Sequence, residues 1–487
     1  MAAAGRSEEA PGDPQADPAG SPGASRPRLG VVVAGEGSVT PVEVYSALRD
    51  SYDPVFLVVA GASDDEGAES VASAKLVSTM RALARRAEVC WLPAAGQPPR
   101  WSLPSIRKLS GITTFCADGV AVVAGLASEA GLPALAAGDG QGLYDKVAQR
   151  SALGPGLSPR SVALPAPCCS PELAVPNRHT CCYGQEWERA ATRLGFPAVL
   201  KPARGQASRG VRRVEDVAGL RAARHEIVAA EAPDAGAEWL LEEYLTGQDR
   251  WPRAGYVSVE SVVSRSEIRH VALTRKLPMA EPFREVGQYL LPGAVADSAD
   301  SALLDATAEA LSRLGVQNAV THTELKLTPG GPKIIEVNAR VGGLIRDLVK
   351  AGRGVDLARA AAAVAVGERP DCHQRAAAAA LVFQYGPLAP VRPAVFERAH
   401  GVDEVLAVAG VDRYLPHVAV GEQLRGGTET VTMGVVSGAC RDEDELAAVL
   451  TELEQVLCYE FRFEPDGQPV RCDTRGNPIS IPIRRMQ

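Results

Sequence analysis

The chain has 487 residues, 46% of them hydrophobic, and its 51 Lys plus Arg against 59 Asp plus Glu leave a net charge of -8. That length can bury a large core and suggests about three domains. No basic run or aromatic-interleaved basic patch is present, which argues against a nucleic-acid partner, and the best apolar stretch, Leu357 to Val366, is broken by Arg359 and falls far short of the ~20 residues of a membrane span.

Residues 1–27 are rich in Ala, Gly, Pro, Ser and Glu and nearly lack large apolar side chains, so disorder is expected there. They have no apolar core of a secretory signal. With ten cysteines in a long chain, this points to reduced thiols in the cytoplasm. Two adjacent pairs, Cys168-Cys169 and Cys181-Cys182, flank His179. Zinc sites usually space their ligands as C-x₂₋₄-C, so free thiols in a loop fit better than a metal knot.

Strands are predicted at Leu29–Ala34, Pro54–Ala60, Glu88–Leu92 and Gly111–Phe115. The helices expected between and after them span Pro41–Arg49, Ser70–Arg86 and Val120–Ala130. This alternation predicts a parallel α/β domain over residues 28–140. Gly35-Glu36-Gly37 lacks the third glycine of a dinucleotide loop, and Thr40-Pro41 follows instead. A helix begins at Tyr144, with Asp145 and Lys146 in its first turn. The proline-dense segment Gly154–Asn177 reads as extended connection and loop. A helix (Glu186–Leu194), a strand ending on Lys201, the loop Gly205–Val211 (GQASRGV) and a second helix to Ala230 follow. A lysine before a small-residue loop suits phosphate, because the ammonium is a point charge and backbone N–H groups can approach the oxygens.

Glu238–Leu245 is predicted as a strand and turn. Gly255–Ser264 and Glu267–Thr274 form a hairpin, Phe283–Pro292 a loop, and Ser301–Leu314 and Val355–Val366 helices. From about residue 371 short strands alternate with turns before a helix at Glu443–Glu454. This predicts a separate α+β closing domain over 371–487, whose last residues are expected to be loosely ordered.

Between these lies Thr321–Gly343, two strands of alternating character joined by Pro-Gly-Gly. A hairpin there can bring Glu324 and Glu336 onto one face, since side chains alternate with period two. Opposed carboxylates repel. Mg²⁺ ions joining them to nucleotide phosphates would remove the conflict. The alternative is a solvated face on which Glu324 pairs with Lys326 or Lys333.

The ordered segments YDK, VLKP-ARGQASRGV, LLEEYL, GVQNAVTHTELKL, IIEVNAR and GTETVTM make the chain from about Leu29 to Glu460 resemble the ATP-grasp carboxylate–amine ligases, above all the L-amino-acid ligases of the bacilysin-synthetase type. The resemblance implies an ATP-grasp domain over 141–370, with a lid at about 152–245, between the two flanking α/β and α+β domains. It implies that Lys146 and Lys201 hold the phosphates of ATP, under a closing loop containing Gly205, Ser208 and Gly210. Glu242, Glu243, Tyr244 and Leu245 would form the adenine hinge. Glu324 and Glu336, helped by Asn338, would hold two Mg²⁺ ions, with Mn²⁺ the alternative. Arg340 would steady the transferred phosphate and the substrate carboxylate, and Glu285 would receive an amino group.

The sequence departs from the family in three places. QDRWPRAG lengthens the loop after the hinge, leaving Asp249 as the ribose candidate. Gln288 replaces a histidine and Leu344 a bulky tryptophan near the amino-acid pocket, so a larger first substrate is expected. The implied activity is ATP-dependent amide formation between small-molecule amino acids through an acyl phosphate, with a homodimer as the assembly considered. Ligation of another carboxylate in peptide tailoring, and a non-catalytic nucleotide-binding module, are the competing classes. Paired metal carboxylates argue against the last.

Overall fold

The computed structural model describes residues 25–59, 71–92, 106–138, 140–166, 182–229, 238–247, 249–293, 295, 300–372, 380–463 and 467–479. Residues 1–24, the segment from Cys168 to Cys181 and Gln248 lie outside these, and with them most of the expected disordered tail and the choice between zinc and free thiols.

The first layer contains β1 (Arg28–Val33), α1 (Pro41–Leu48), β2 (Asp53–Val59), α2 (Val71–Leu83), β3 (Glu88–Leu92), β4 (Gly111–Thr114) and α3 (Gly119–Ala130). Its four strands are parallel in the order β3-β2-β1-β4. The uninterrupted apolar runs of β1 and β2 are buried almost throughout, as strands covered on both faces require. Thr40 and Glu43 form a capping box, with Pro41 in the first turn of α1. Thr40-Pro41 therefore starts a helix.

The next unit comprises α4 (Lys146–Leu157), β5 (Ser161–Leu164), α5 (Cys182–Leu194), β6 (Ala198–Pro202), β7 (Arg212–Val214), α6 (Val217–Ala229) and β8 (Trp239–Glu243). Its antiparallel sheet has the order β5-β8-β6-β7 and a core of its own around Trp187, Leu200, Trp239 and Leu241. The loop expected from Gly154 is corrected here. The helix kinks at Gly154 (φ 68) and Pro155, continues to Leu157, and β5 then pairs with β8. A glycine free to adopt positive φ lets the chain turn without ending the helix.

The remaining elements are β9 (Tyr256–Ser264), β10 (Glu267–Lys276), β11 (Gly287–Leu290), α7 (Ser301–Arg313), β12 (Asn318–Thr328), β13 (Gly331–Asn338), α8 (Ile345–Arg353), α9 (Leu357–Ala365), β14 (Leu381–Tyr385), β15 (Ala394–His400), α10 (Val402–Val405), β16 (Val411–Pro416), β17 (Gln423–Leu424), β18 (Gly434–Cys440), α11 (Glu443–Val456), β19 (Cys458–Phe463) and β20 (Pro469–Cys472). An eight-stranded antiparallel sheet runs β13-β12-β9-β10-β11-β14-β18-β16. It crosses the boundary expected near residue 371, so the C-terminal region is not a separate layer. The reason is β11, in the segment expected to be a loop. It pairs with β10 on one side and β14 on the other, and its Gln288, Tyr289 and Leu290 are buried. The smaller sheet β17-β15-β19-β20 packs aromatics, among them Phe396, Tyr459 and Phe461. Pairing of β20 with β19 orders part of the C-terminal segment expected to be loose. Among the described residues no helix is long and apolar enough to cross a membrane.

Candidate active site

Glu324 and Glu336 stand directly opposite each other in the β12–β13 ladder. The register then slips, so that Leu325 faces Ile334 and Ile335 is the extra residue. Neither lysine of the solvated-face alternative reaches Glu324: Lys333 donates to the carbonyls of Pro155 and Gly156, and Lys326 lies over the Tyr256 ring. That alternative is therefore corrected.

What approaches the outer strand of the hairpin is α4. Asp145 caps this helix by accepting from the N–H groups of Val147 and Ala148 at 3.0 and 3.2 Å. Lys146, Gln149 and Arg150 lie three and four residues apart and so share one face. All three are buried. The Gln149 amide pairs with the N–H and C=O of Val337 at 2.9 and 3.0 Å, satisfying backbone groups that the edge strand would otherwise leave open. Arg150 donates to the Ile335 carbonyl of the bulge. Lys146 Nζ sits 3.0 Å from Glu336 Oε1 and 3.0 Å from the Gly205 carbonyl, so it is not the surface charge its helix-start position also allowed.

Lys201 Nζ is 2.7 Å from Glu242 Oε2, and Arg150 Nε is 2.6 Å from Glu242 Oε1. All three side chains are buried. Burial raises the Glu242 carboxyl, but Arg150 and Lys201 outweigh it and hold it below its ordinary value. Burial pulls the Lys201 ammonium down despite Glu242. Glu243 accepts from the Arg160 N–H at 2.9 Å and from its guanidinium at 2.8 Å. Tyr244 follows with its N–H on the Pro197 carbonyl and Arg213 over its ring, and Leu245 is half-buried. Asp249 accepts from the Gly255 N–H at 2.6 Å, within its own loop.

Behind Glu324 lies a network of residues with no local motif in the sequence. Glu260 is fully buried in β9, between Val259 and Ser261, and such a charge needs partners. His322 Nδ1 is 2.9 Å from both Glu260 oxygens, and the Ser258 hydroxyl donates to Glu260 at 2.8 Å. His322 Nε2 lies 3.4 Å from Glu324 Oε1. Burial lowers the imidazole, but Glu260 outweighs it and holds His322 at about 9. Burial raises Glu324, and His322, with Lys276 and Arg340 beyond, overcomes this and holds the carboxyl at about 2. Gly342 makes room for the ring, since a Cβ there would come within 2.4 Å of Nδ1. A single acidic residue in an apolar strand was the available signal.

Glu285 lies 3.3 Å from the buried Lys276 ammonium, which also donates to Gln288 at 3.0 Å. Gln288 in turn donates to the carbonyl of Gly343 and to Gln384. Leu344 precedes α8 in the left-handed region at φ 60. Arg340 Nη1 donates to the Val341 carbonyl, while its buried Nε has no hydrogen-bond partner among the described residues, leaving donors for an oxyanion. A cavity of about 160 Å³ is lined by Tyr144, Lys146, Arg204, Gly205, Glu336 and Asn338, among others. The loop 205–210 folds against the other side of the site, with Ser208 Oγ donating to the Phe283 carbonyl at 2.7 Å. No cluster of three or more His, Cys, Asp or Glu side chains suited to a metal occurs among the described residues. Two opposed carboxylates and an amide nevertheless fit Mg²⁺, which keeps water and phosphate oxygens as its other ligands.

Residues 194–347, which carry Lys201, the 205–210 loop, Glu242 to Leu245 and both hairpin carboxylates, match the ATP-grasp domain family. The chain has the ATP-grasp fold. Over 191 residues it is 30% identical to carnosine synthase 1 of Gallus gallus, an alignment covering 37% of this chain and 20% of that one. It is 28% identical over 190 residues to the alanine–anticapsin ligase of Bacillus subtilis, covering 36% and 40%. The chain thus spans less than half the length of these curated relatives. The ATP-grasp fold itself is shared more widely. The crystal structure of an L-amino acid ligase from Bacillus licheniformis superposes with a TM-score of 0.62 at 18% identity, covering 89% of this chain and 98% of that one.

Proposed function

We propose that this ATP-grasp protein is an ATP-dependent ligase that joins an amino-acid carboxylate to an amine. The observation that carries the reading is the opposition of Glu324 and Glu336, with the buried Lys146 on one and the Glu260–His322 pair behind the other. A carboxylate is a poor electrophile. Attack of its oxygen on the γ-phosphorus of ATP, with cleavage of the bond to ADP, would give an acyl phosphate. The amine nitrogen would then attack the carbonyl carbon and lose a proton as phosphate leaves.

Such chemistry needs positioning and charge neutralisation more than a covalent catalyst. Lys146 and Lys201 supply positive charge at the phosphates, and Arg340 has a planar fork for oxyanions. Glu324, Glu336 and Asn338 would hold one or two Mg²⁺ ions, which neutralise phosphate charge when bound. Glu285 supplies a carboxylate for the amino group of the first amino acid. The names of the relatives, a carnosine synthase and an alanine–anticapsin ligase, support amino acids as the substrate class. Mass spectrometry of products from MgATP and a pool of the twenty common L-amino acids tests the reading. New dipeptide masses, matched by ADP and phosphate, are expected. ATP turnover without any amide would turn it toward another acceptor.

A further inference from the structure

The segment GTETVTM has no role in the chemistry above, yet two of its threonines grip the phosphate-side loop, Thr428 through its hydroxyl and Thr430 through its backbone N–H. The Thr428 hydroxyl accepts from the Gly210 N–H at 2.9 Å and donates to the Ser208 carbonyl at 3.1 Å, using its donor and a lone pair on two points of one turn. The Thr430 N–H donates to the Ala207 carbonyl at 2.8 Å, and the Thr430 hydroxyl accepts from the Glu285 N–H at 3.2 Å. Ser208 closes the circuit on the Phe283 carbonyl, two residues before Glu285. Ala207 (φ 54) and Ser208 (φ 60) occupy the left-handed region that non-glycine residues rarely adopt. Such a conformation persists where surrounding contacts impose it. Those contacts come from outside the lid.

We propose that Thr428 and Thr430 form a clasp that couples the Glu285 pocket to closure of the 205–210 loop. Both are positioning residues, and the coupling rests on the ligase reading above. Thr430 is the joint, because one residue bonds the lid through its backbone and the Glu285 backbone through its side chain. An amino group drawn to Glu285 steadies that joint and, through it, the loop. A closed loop keeps water from the acyl phosphate. With the loop open, water attacks in place of the amine and yields the free carboxylate, inorganic phosphate and a proton, with no amide.

The test uses the full chain with T428V and T430V, and T428S and T430S as conservative controls, each checked for an unchanged melting temperature. Trypsin cleavage after Arg209, an exposed loop residue, is timed without substrates. T428V, which removes the hydroxyl holding Ser208 and Gly210, is expected to be cut at least tenfold faster than wild type, and T430V, which keeps its backbone bond to Ala207, and both serine variants at about the wild-type rate. An unchanged rate in T428V overturns the clasp, whatever the enzyme catalyses. The ratio of phosphate released to amide formed is then measured with MgATP and the pooled L-amino acids. A ratio at least fivefold above wild type in the valine variants, restored by serine, is expected. An unchanged ratio in T430V, or faster cleavage of T428V with an unchanged ratio, overturns the coupling. Absence of amide from wild type itself counts against the ligase reading, and the cleavage rates still decide the clasp.

Discussion

The Lys146 ammonium lies 3.0 Å from the Glu336 carboxylate, across 190 residues of chain, and one buried cation thereby ties α4 to the carboxylate hairpin. Its second bond, to the Gly205 carbonyl, extends the tie to the 205–210 loop. Replacing Glu336 by Gln keeps the shape and removes the charge. ADP release is expected to fall about 10³-fold, on the scale of losing a principal electrostatic group, while far-UV circular dichroism stays unchanged. Full turnover in E336Q would sink the proposed mechanism.

The buried Arg150–Glu242–Lys201 triad makes a prediction about stability. Deleting the shared anion leaves two cations without it in a site closed to water. Glu242→Ala is expected to cost about 3–5 kcal/mol, read as a lower urea midpoint. A loss below about 1 kcal/mol, the range of exposed pairs, would show that water reaches the triad.

The Glu260–His322–Glu324 network predicts how stability varies with pH in protein freed of divalent cations. His322 is held at about 9, above its ordinary 6.5. Its stabilisation is therefore complete below pH 6.5 and is lost as pH rises through 9. Glu324 is held at about 2, below its ordinary 4.5. Its contribution is complete above pH 4.5 and is lost as pH falls toward 2. The unfolding free energy of wild type should decline between pH 6.5 and 9, and that decline should be absent from His322→Gln. Identical alkaline profiles for the two proteins would contradict the pairing.

Leu344 and Gln288 border the proposed amino-acid pocket. Leu344→Trp adds bulk there without altering the charges on Glu285 and Lys276. The kcat/KM for large first amino acids should drop at least about tenfold relative to alanine, within the range that pocket contacts provide. Equal losses for large and small substrates would place Leu344 outside the pocket.

Much of this site was legible because its residues are local. Period-two alternation and the Pro-Gly-Gly turn were enough to set Glu324 against Glu336. The spacing from Lys146 to Arg150 puts both on one helical face, although only Lys146 sits in a recognisable motif. Other features depend on distant chain segments. Glu260 and His322 are 62 residues apart, and nothing local says that their strands are neighbours. Gln288 read as loop because β11 is only four residues long and takes its pairing from β10 and β14.

From the sequence alone followed the parallel α/β layer, the lysine before a small-residue loop, and two carboxylates on one hairpin face, because each depends on residues within one or two turns or strands. The tertiary structure alone decided what those charges meet. Lys201 finds Glu242, Glu324 finds His322 backed by Glu260, and the loop at Ser208 finds Thr428. A buried charge is tolerable only beside a partner, and the partner is chosen by which strands the fold lays together, not by spacing along the chain.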